Sequence, residues 1–163
     1  ARSIRQGHRI MNRRSFLAPA ILLPLLAAGC AAPPPPRPEL DLAITAGADQ
    51  NPDTSGHPAP VKVFLYQLAS SAKFERADVF ALTERDKATL GEDMLASEAI
   101  VVAPGEARAV KKQLKAGTQV LGVVVLFRDI DHATWRQMAK VAVSGTTALQ
   151  LTTKGIVATL APR

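Results

Sequence analysis

The residues best equipped for chemistry are few and scattered. Past residue 30 the chain has two histidines, His57 and His132, and neither has a second histidine near it. His132 closes the run Arg128-Asp129-Ile130-Asp131-His132, in which Asp129 and Asp131 would share one face of a continuing strand. That face could meet a cation, but no known ligand spacing is completed. A solvated strand-end loop, with Arg128 pairing with the carboxylates, is the preferred reading. Glu92 and Asp93 are adjacent and would point to opposite sides of a strand, a poor acid–base pair. Gly117 and Gly122 stand alone, so there is no phosphate-cradling loop, and neither a Gly-x-Ser-x-Gly elbow nor a His-Glu-x-x-His pair occurs. The single cysteine, Cys30, allows no intrachain disulfide and no cysteine-rich zinc site. No catalytic residue, metal or cofactor is expected.

The charge distribution excludes another class. Lysine and arginine number 20 against 14 acids, a net of +6. Five of the arginines (Arg2, Arg5, Arg9, Arg13, Arg14) lie in residues 1–29, which hold no acid, so the remainder is nearly neutral at +1. A nucleic-acid binder needs a clustered basic excess and stacking aromatics, and only six aromatic residues lie beyond residue 30. At 163 residues and 47% apolar composition, one folded domain with a real core is expected.

The first thirty residues read as an address and an anchor. Met11 is the expected start of a signal segment, Met-Asn-Arg-Arg-Ser-Phe-Leu, followed by an apolar stretch from Phe16 to Ala28. Those thirteen residues would rise only about 20 Å as a helix, short of a bilayer's hydrocarbon layer, which marks a signal-peptide core rather than a span. The core ends in Ala27-Ala28-Gly29-Cys30 and resembles a bacterial lipobox, departing from it at Ala27, where leucine is usual. Cys30 is thus the expected lipidation site. Arg13-Arg14-Ser15-Phe16-Leu17 also resembles a twin-arginine export motif, which leaves the export route open. Ala31 in place of aspartate favours the outer membrane, by resemblance to enterobacterial lipoproteins. The run Pro33-Pro34-Pro35-Pro36-Arg37-Pro38 would form a stiff tether of about 19 Å.

The body reads as strands. Leu40, Leu42 and Ile44 alternate with Asp41 and Ala43, and Val61 to Leu68 forms a second strand. Between them, Gly47 to Pro60 is a loop of about fourteen residues, too long for a simple connection and therefore a candidate functional segment. Ser70 or Ser71 could cap a helix running to about Leu82, and a short turn from Asp86 to Leu90 stops at Gly91. Ala99 to Ala103, Arg108 to Leu114, and Val120 to Phe127 follow as strands, with a closing hairpin at Leu149–Thr152 and Ile156–Leu160. The Val120–Phe127 run is apolar on both faces and must be covered twice; the helical insert is the expected second cover. Lys111, Lys112 and Lys115 could touch anionic lipid or peptidoglycan, but the preferred reading is an exposed edge protected from aggregation. Trp135 with Met138 reads equally as an interface anchor or a plug under a loop. The expected fold is mainly β, an antiparallel sandwich of about seven strands with a small helical insert after the second strand. Residues 1–29 are upstream and signal sequence, 30–38 the lipidated tether, and 39–163 the sandwich.

Several segments in order carry a family resemblance: Val63-Phe64-Leu65-Tyr66-Gln67-Leu68, Phe74, Ala77-Asp78-Val79-Phe80-Ala81-Leu82, Ala88-Thr89-Leu90-Gly91, Pro104-Gly105-Glu106, Leu121-Gly122-Val123, Phe127-Arg128-Asp129-Ile130 and Trp135-Arg136. With the lipobox, this resembles the type VI secretion outer-membrane lipoproteins, the TssJ family (also VasD or SciN). The resemblance implies a transthyretin-like sandwich, no enzymatic activity, and a lipid-anchored position on the periplasmic face of the outer membrane. It implies as partner the periplasmic C-terminal region of the inner-membrane protein TssM, and TssL indirectly. It also implies that the loop between the first two strands carries the contact, which makes Asp49, Gln50, Asn51, Asp53, Thr54 and His57 the candidate partner-binding residues. The alternatives are an unrelated lipoprotein acting as a small-ligand or chaperone-type binding module, and a cell-envelope hydrolase, for which no residue set is found.

Overall fold

A computed structural model of the chain describes residues 37–163. Cys30, the segment before it and the prolines up to Pro36 lie outside the described residues. The elements in chain order are β1 (Glu39–Ala46), β2 (Val61–Leu68), α1 (Ala72–Arg76), α2 (Val79–Glu84), α3 (Asp86–Leu90), a 3-10 turn (Gly91–Asp93), β3 (Met94–Val102), β4 (Ala107–Gln113), β5 (Val120–Leu126), β6 (Arg136–Lys140), β7 (Thr146–Lys154) and β8 (Val157–Pro162). They form two four-stranded sheets, one ordered β4-β1-β7-β8 and the other β3-β2-β5-β6. The space between the sheets is filled by alternate residues of both, among them Leu40, Leu42, Ile44, Val61, Val63, Leu65, Leu121, Val123, Val125, Leu149 and Leu151. The mainly β sandwich expected from the sequence is therefore the fold.

Two details correct the expectation. The described residues form eight strands rather than about seven; the unread one is β6, inside the polar stretch Arg128–Ala139. Arg136 and Gln137 there are half-buried, because long polar side chains lay their stems on apolar neighbours and keep their heads in polar company. The sandwich also contains one parallel pair, β1 with β7, while the other ladders are antiparallel.

The helical insert covers the outer face of the second sheet, as the doubly apolar β5 demanded. Tyr66, Leu68 and Val124 of the sheet are buried with Phe74, Val79, Leu82 and Leu90 of the insert. The single helix expected from Ser70 or Ser71 to Leu82 is instead two. Asp78 is extended (ψ 168) and accepts a hydrogen bond from the Ala81 amide at 2.8 Å, starting α2 afresh. An aspartate satisfies free helix-start amides better than it continues a helix. Ser71 makes no side-chain cap. The stop at Gly91 holds, with φ at +55°. Arg136 fastens the insert to β6: its Nη1 donates to the carbonyls of Phe74 (3.0 Å) and Ala77 (2.9 Å), oxygens that the end of α1 leaves free. The buried Tyr66 hydroxyl donates to the Leu82 carbonyl at 2.6 Å, and burial pushes its pKa up. Trp135 is half-buried against both hydrophobic clusters, on the packing side of the two roles the sequence allowed.

Phe74 lies directly over Gly122. A β-carbon at 122 would sit 2.8 Å from Phe74 Cζ, 3.0 Å from its Cε2 and 3.1 Å from Leu68 Cδ1, and both side chains are fully buried. Gly122→Ala is expected to cost about 1–3 kcal/mol by overpacking. A denaturant titration checks this; an unchanged midpoint would show that the insert has room to shift.

The lysine-rich edge is more specific than the sequence suggested. Lys111 reaches Asp41 at 3.4 Å on the outer face, while Lys112 meets Glu98 of β3 at 2.6 Å. Lys112 lies opposite Leu40 and Glu98 opposite Leu65, both core residues, so this pair faces inward and joins the two sheets at their open side. Inward-pointing charge is a recognised defence of sheet edges against stray pairing.

Candidate partner-binding site

Strand direction sorts the connections into two ends. The β1–β2, β3–β4, β5–β6 and β7–β8 connections gather at one pole, and the chain reaches β1 from the other. The long loop, residues 47–60, is the largest element of its pole and is bound to each of the other three connections. The Gly105 amide donates to the Gly47 carbonyl (3.2 Å), the Gly47 amide to Thr153 (2.6 Å), and the Asn51 amide to Gly155 (2.7 Å). Gly47 admits no side chain, since a β-carbon there would lie 2.7 Å from the Thr153 carbonyl.

The six candidate residues divide by role. Gln50 is fully buried: its Nε2 donates to the Val102 carbonyl at 2.8 Å, and its Oε1 accepts from the Thr153 hydroxyl at 2.6 Å. Asn51 is 3% exposed; its Nδ2 donates to Pro60 O at 2.9 Å and its Oδ1 accepts from the Arg128 amide at 2.8 Å. It is also the one described non-glycine residue with positive φ, at 49°. Both are expected partner contacts, and the structure places both side chains inside the pole rather than on its surface. Their polar atoms satisfy the backbone groups of Val102, Pro60 and Arg128 and the Thr153 hydroxyl, which would otherwise be costly orphans. Asp53 shapes the loop tip. Its Oδ1 accepts from the amides of Ser55 (2.8 Å) and His57 (2.9 Å), and its Oδ2 lies 3.3 Å from His57 Nδ1. Asp49, Thr54 and His57 are exposed and form the outward surface.

The hydrogen bond from the His57 amide, against a smaller opposing effect of burial, lowers the Asp53 pKa from its ordinary 3.8. A depressed carboxyl pKa means that the ionised form belongs to the folded loop. Its ordering effect is present above the ordinary value and is lost as pH falls through the lowered one. The Ser55 and His57 amide resonances are therefore expected to titrate together with a midpoint below 3.8. A midpoint at or above it would remove Asp53 from the tip.

Sequence reasoning did not connect the Arg128–His132 run to this loop. Arg128 and Asp129 line an open hollow with Pro52, Asp53 and Thr54. The one link is the Asn51–Arg128 bond, across 77 residues of chain, which no local pattern reveals. Asp129 Oδ1 lies 2.7 Å from His132 Nδ1 and raises the histidine's pKa by that hydrogen bond and by its charge. Among the described residues no group of three His, Cys, Asp or Glu side chains gathers around a point that could hold a metal ion. This pole is a surface of mixed charge whose loops are already held in place by hydrogen bonds to one another.

The fold is thus a two-sheet, transthyretin-like sandwich whose second sheet is covered by helices and whose loops are pinned to one another at one pole. The chain belongs to the type VI secretion lipoprotein family (VasD, EvfM, TssJ), whose model matches residues 38–155. It is similar to the type VI lipoprotein TssJ1 of Pseudomonas aeruginosa, with 34% identity over 78% of this chain and 98% of that one and a TM-score of 0.76. It shares its fold with Lip of Serratia marcescens, a membrane-bound component of that secretion system (22% identity, 78% and 98% covered, TM-score 0.70). It also matches a chain in a structure of the TssM C-terminal domain from EAEC (28% identity, 75% and 99% covered, TM-score 0.64). No curated protein matches in sequence. The family consists of secretion-complex lipoproteins and is not an enzyme family.

Proposed function

We propose that this protein is the outer-membrane lipoprotein of the type VI secretion membrane complex. Acyl chains on Cys30 hold it in the outer membrane facing the periplasm. Its loop 47–60 grips the periplasmic C-terminal region of TssM, and through TssM the protein is linked to TssL. The observation that carries this reading is polarity. The anchor-bearing segment leads into β1 at one pole and the pinned loop leaves β1 at the other, eight residues or about 26 Å away. The protein can thus sit on lipid and present its recognition surface outward at once. Its work is connection, with no bond made or broken.

The exposed residues provide the test. A triple variant, Asp49→Lys with Thr54→Arg and His57→Ala, leaves the buried pins Gln50 and Asn51 and the tip residue Asp53 in place. Capture of TssM by the full-length protein in detergent is expected to weaken at least tenfold, about 1.4 kcal/mol or more, with the melting temperature unchanged. Undiminished capture by a folded triple variant would place the contact elsewhere.

A further inference from the structure

The pole that receives the tether has its own surface features. The Leu114 amide donates to the Pro38 carbonyl (2.8 Å), the Glu39 amide to Gly145 (2.9 Å), and the Val141 amide to Gln119 (2.8 Å). These bonds hold the β4–β5 turn and the β6–β7 loop beside the first described residues. Together they line an open groove that includes Pro38, Thr118, Lys140, Val141 and Val143. Val143 is 82% exposed, more than any other large apolar side chain described. Its loop runs Val-Ala-Val-Ser-Gly and turns at Gly145, with φ at +78°. Residues 114–119 and 140–145 carry Lys115 and Lys140 and no acid, and Arg37 precedes them in the tether. Both lysines are exposed and neither joins an ion pair among the described residues. The acids at this end include Glu39, which accepts from the Thr146 hydroxyl, Glu75, which accepts from the Ser71 hydroxyl, Asp93, paired with Lys73 at 3.3 Å, and the exposed Glu92.

We infer that this pole is a bilayer-contact surface: Val143 dips into the headgroup region while Lys115, Lys140 and Arg37 meet anionic lipid phosphates. The inference rests on the anchoring proposed above and deepens it. Covalent length makes the bilayer the occupant. Cys30 precedes Pro38 by eight residues, so the anchor is never more than about 29 Å of extended chain from this pole. Eight residues of chain set an upper limit on that separation and no lower one, so the pole can reach the lipid surface. An exposed apolar side chain flanked by lysines, held at that distance, fits an interface that is apolar within and anionic at its surface. Contact there would fix the tilt of the domain and aim the opposite pole into the periplasm.

The acylated full-length protein carrying Val143→Cys has one free thiol, which takes a polarity-sensitive dye. The protein is placed on vesicles of phosphatidylethanolamine with phosphatidylglycerol, and on phosphatidylcholine vesicles. The dye at 143 is expected to shift to shorter wavelength on the anionic vesicles. The shift should be lost with Lys115→Glu and Lys140→Glu together, whose exposed positions spare the fold, and a dye at Thr54→Cys should stay aqueous on either vesicle. Vesicles that sediment with protein whose 143 dye remains aqueous overturn the contact alone. Vesicles that sediment without protein overturn the anchoring and the contact with it.

Discussion

Cys30→Ala is expected to abolish recovery of the protein with the outer-membrane fraction and, with it, secretion by the complex. The effect should be complete, for a reason of scale. Each buried methylene contributes about 0.8 kcal/mol, yet a single acyl chain binds only marginally, at roughly 10⁴ M⁻¹. The lipobox resemblance implies two or three chains on one sulfur, whose contributions multiply into effectively permanent attachment. Alanine offers no thiol for the first transfer, so all of them are lost together. Fractionation followed by immunoblotting reads the result; alanine protein still sedimenting with the outer membrane would show that something other than Cys30 holds it there.

Asn51→Ala is expected to have the largest effect within the folded body. The side chain bridges Pro60 O and the Arg128 amide, and its backbone sits at φ 49°. Alanine would orphan two polar groups and place an ordinary side chain in the left-handed region. These costs together suggest a loss of about 2–4 kcal/mol. Thermal unfolding should begin roughly 10 °C lower, and TssM capture should fall although no partner-facing atom has been removed. Asn51→Gly separates the two causes, because glycine accepts the positive φ and loses only the hydrogen bonds. An alanine variant as stable as the parent would mean that the loop is held by its backbone bonds alone.

These two residues mark what could and could not be read from the chain. Cys30 is expected as the anchor from local order alone (arginines, an apolar core, small residues, a thiol) and lies outside the described residues. The place of Asn51 has no such local signature. It lies in a polar loop of conspicuous length, and length was enough to single out residues 47–60, but polarity suggested exposure where the structure shows burial. Gln50 and Asn51 are inside because four connections meet there and leave polar groups that need partners, a condition set by residues 52 to 103 positions away. The same division runs through the fold. Strand β5, apolar on both faces, announced its two covers. Strand β6 hid behind half-buried arginine and glutamine stems, and the break at Asp78 hid inside a pattern that still fitted a helix. The parallel pairing of β1 with β7 depends on which sheet each strand joins, and no local pattern encodes that choice.

The place of β1 has a mechanical consequence. The strand runs from the tether to the loop 47–60, with β4 bonded along one side and β7 along the other. On the function proposed above, a pull between bilayer and partner would enter at one end of β1 and leave at the other, so it would pass along the covalent backbone of a single, already extended strand. The two flanking ladders would carry only the share passed to their neighbours, in shear, where bonds give way together rather than one at a time. The first strand would thus serve as a tie rod, loaded without the sheet around it having to open.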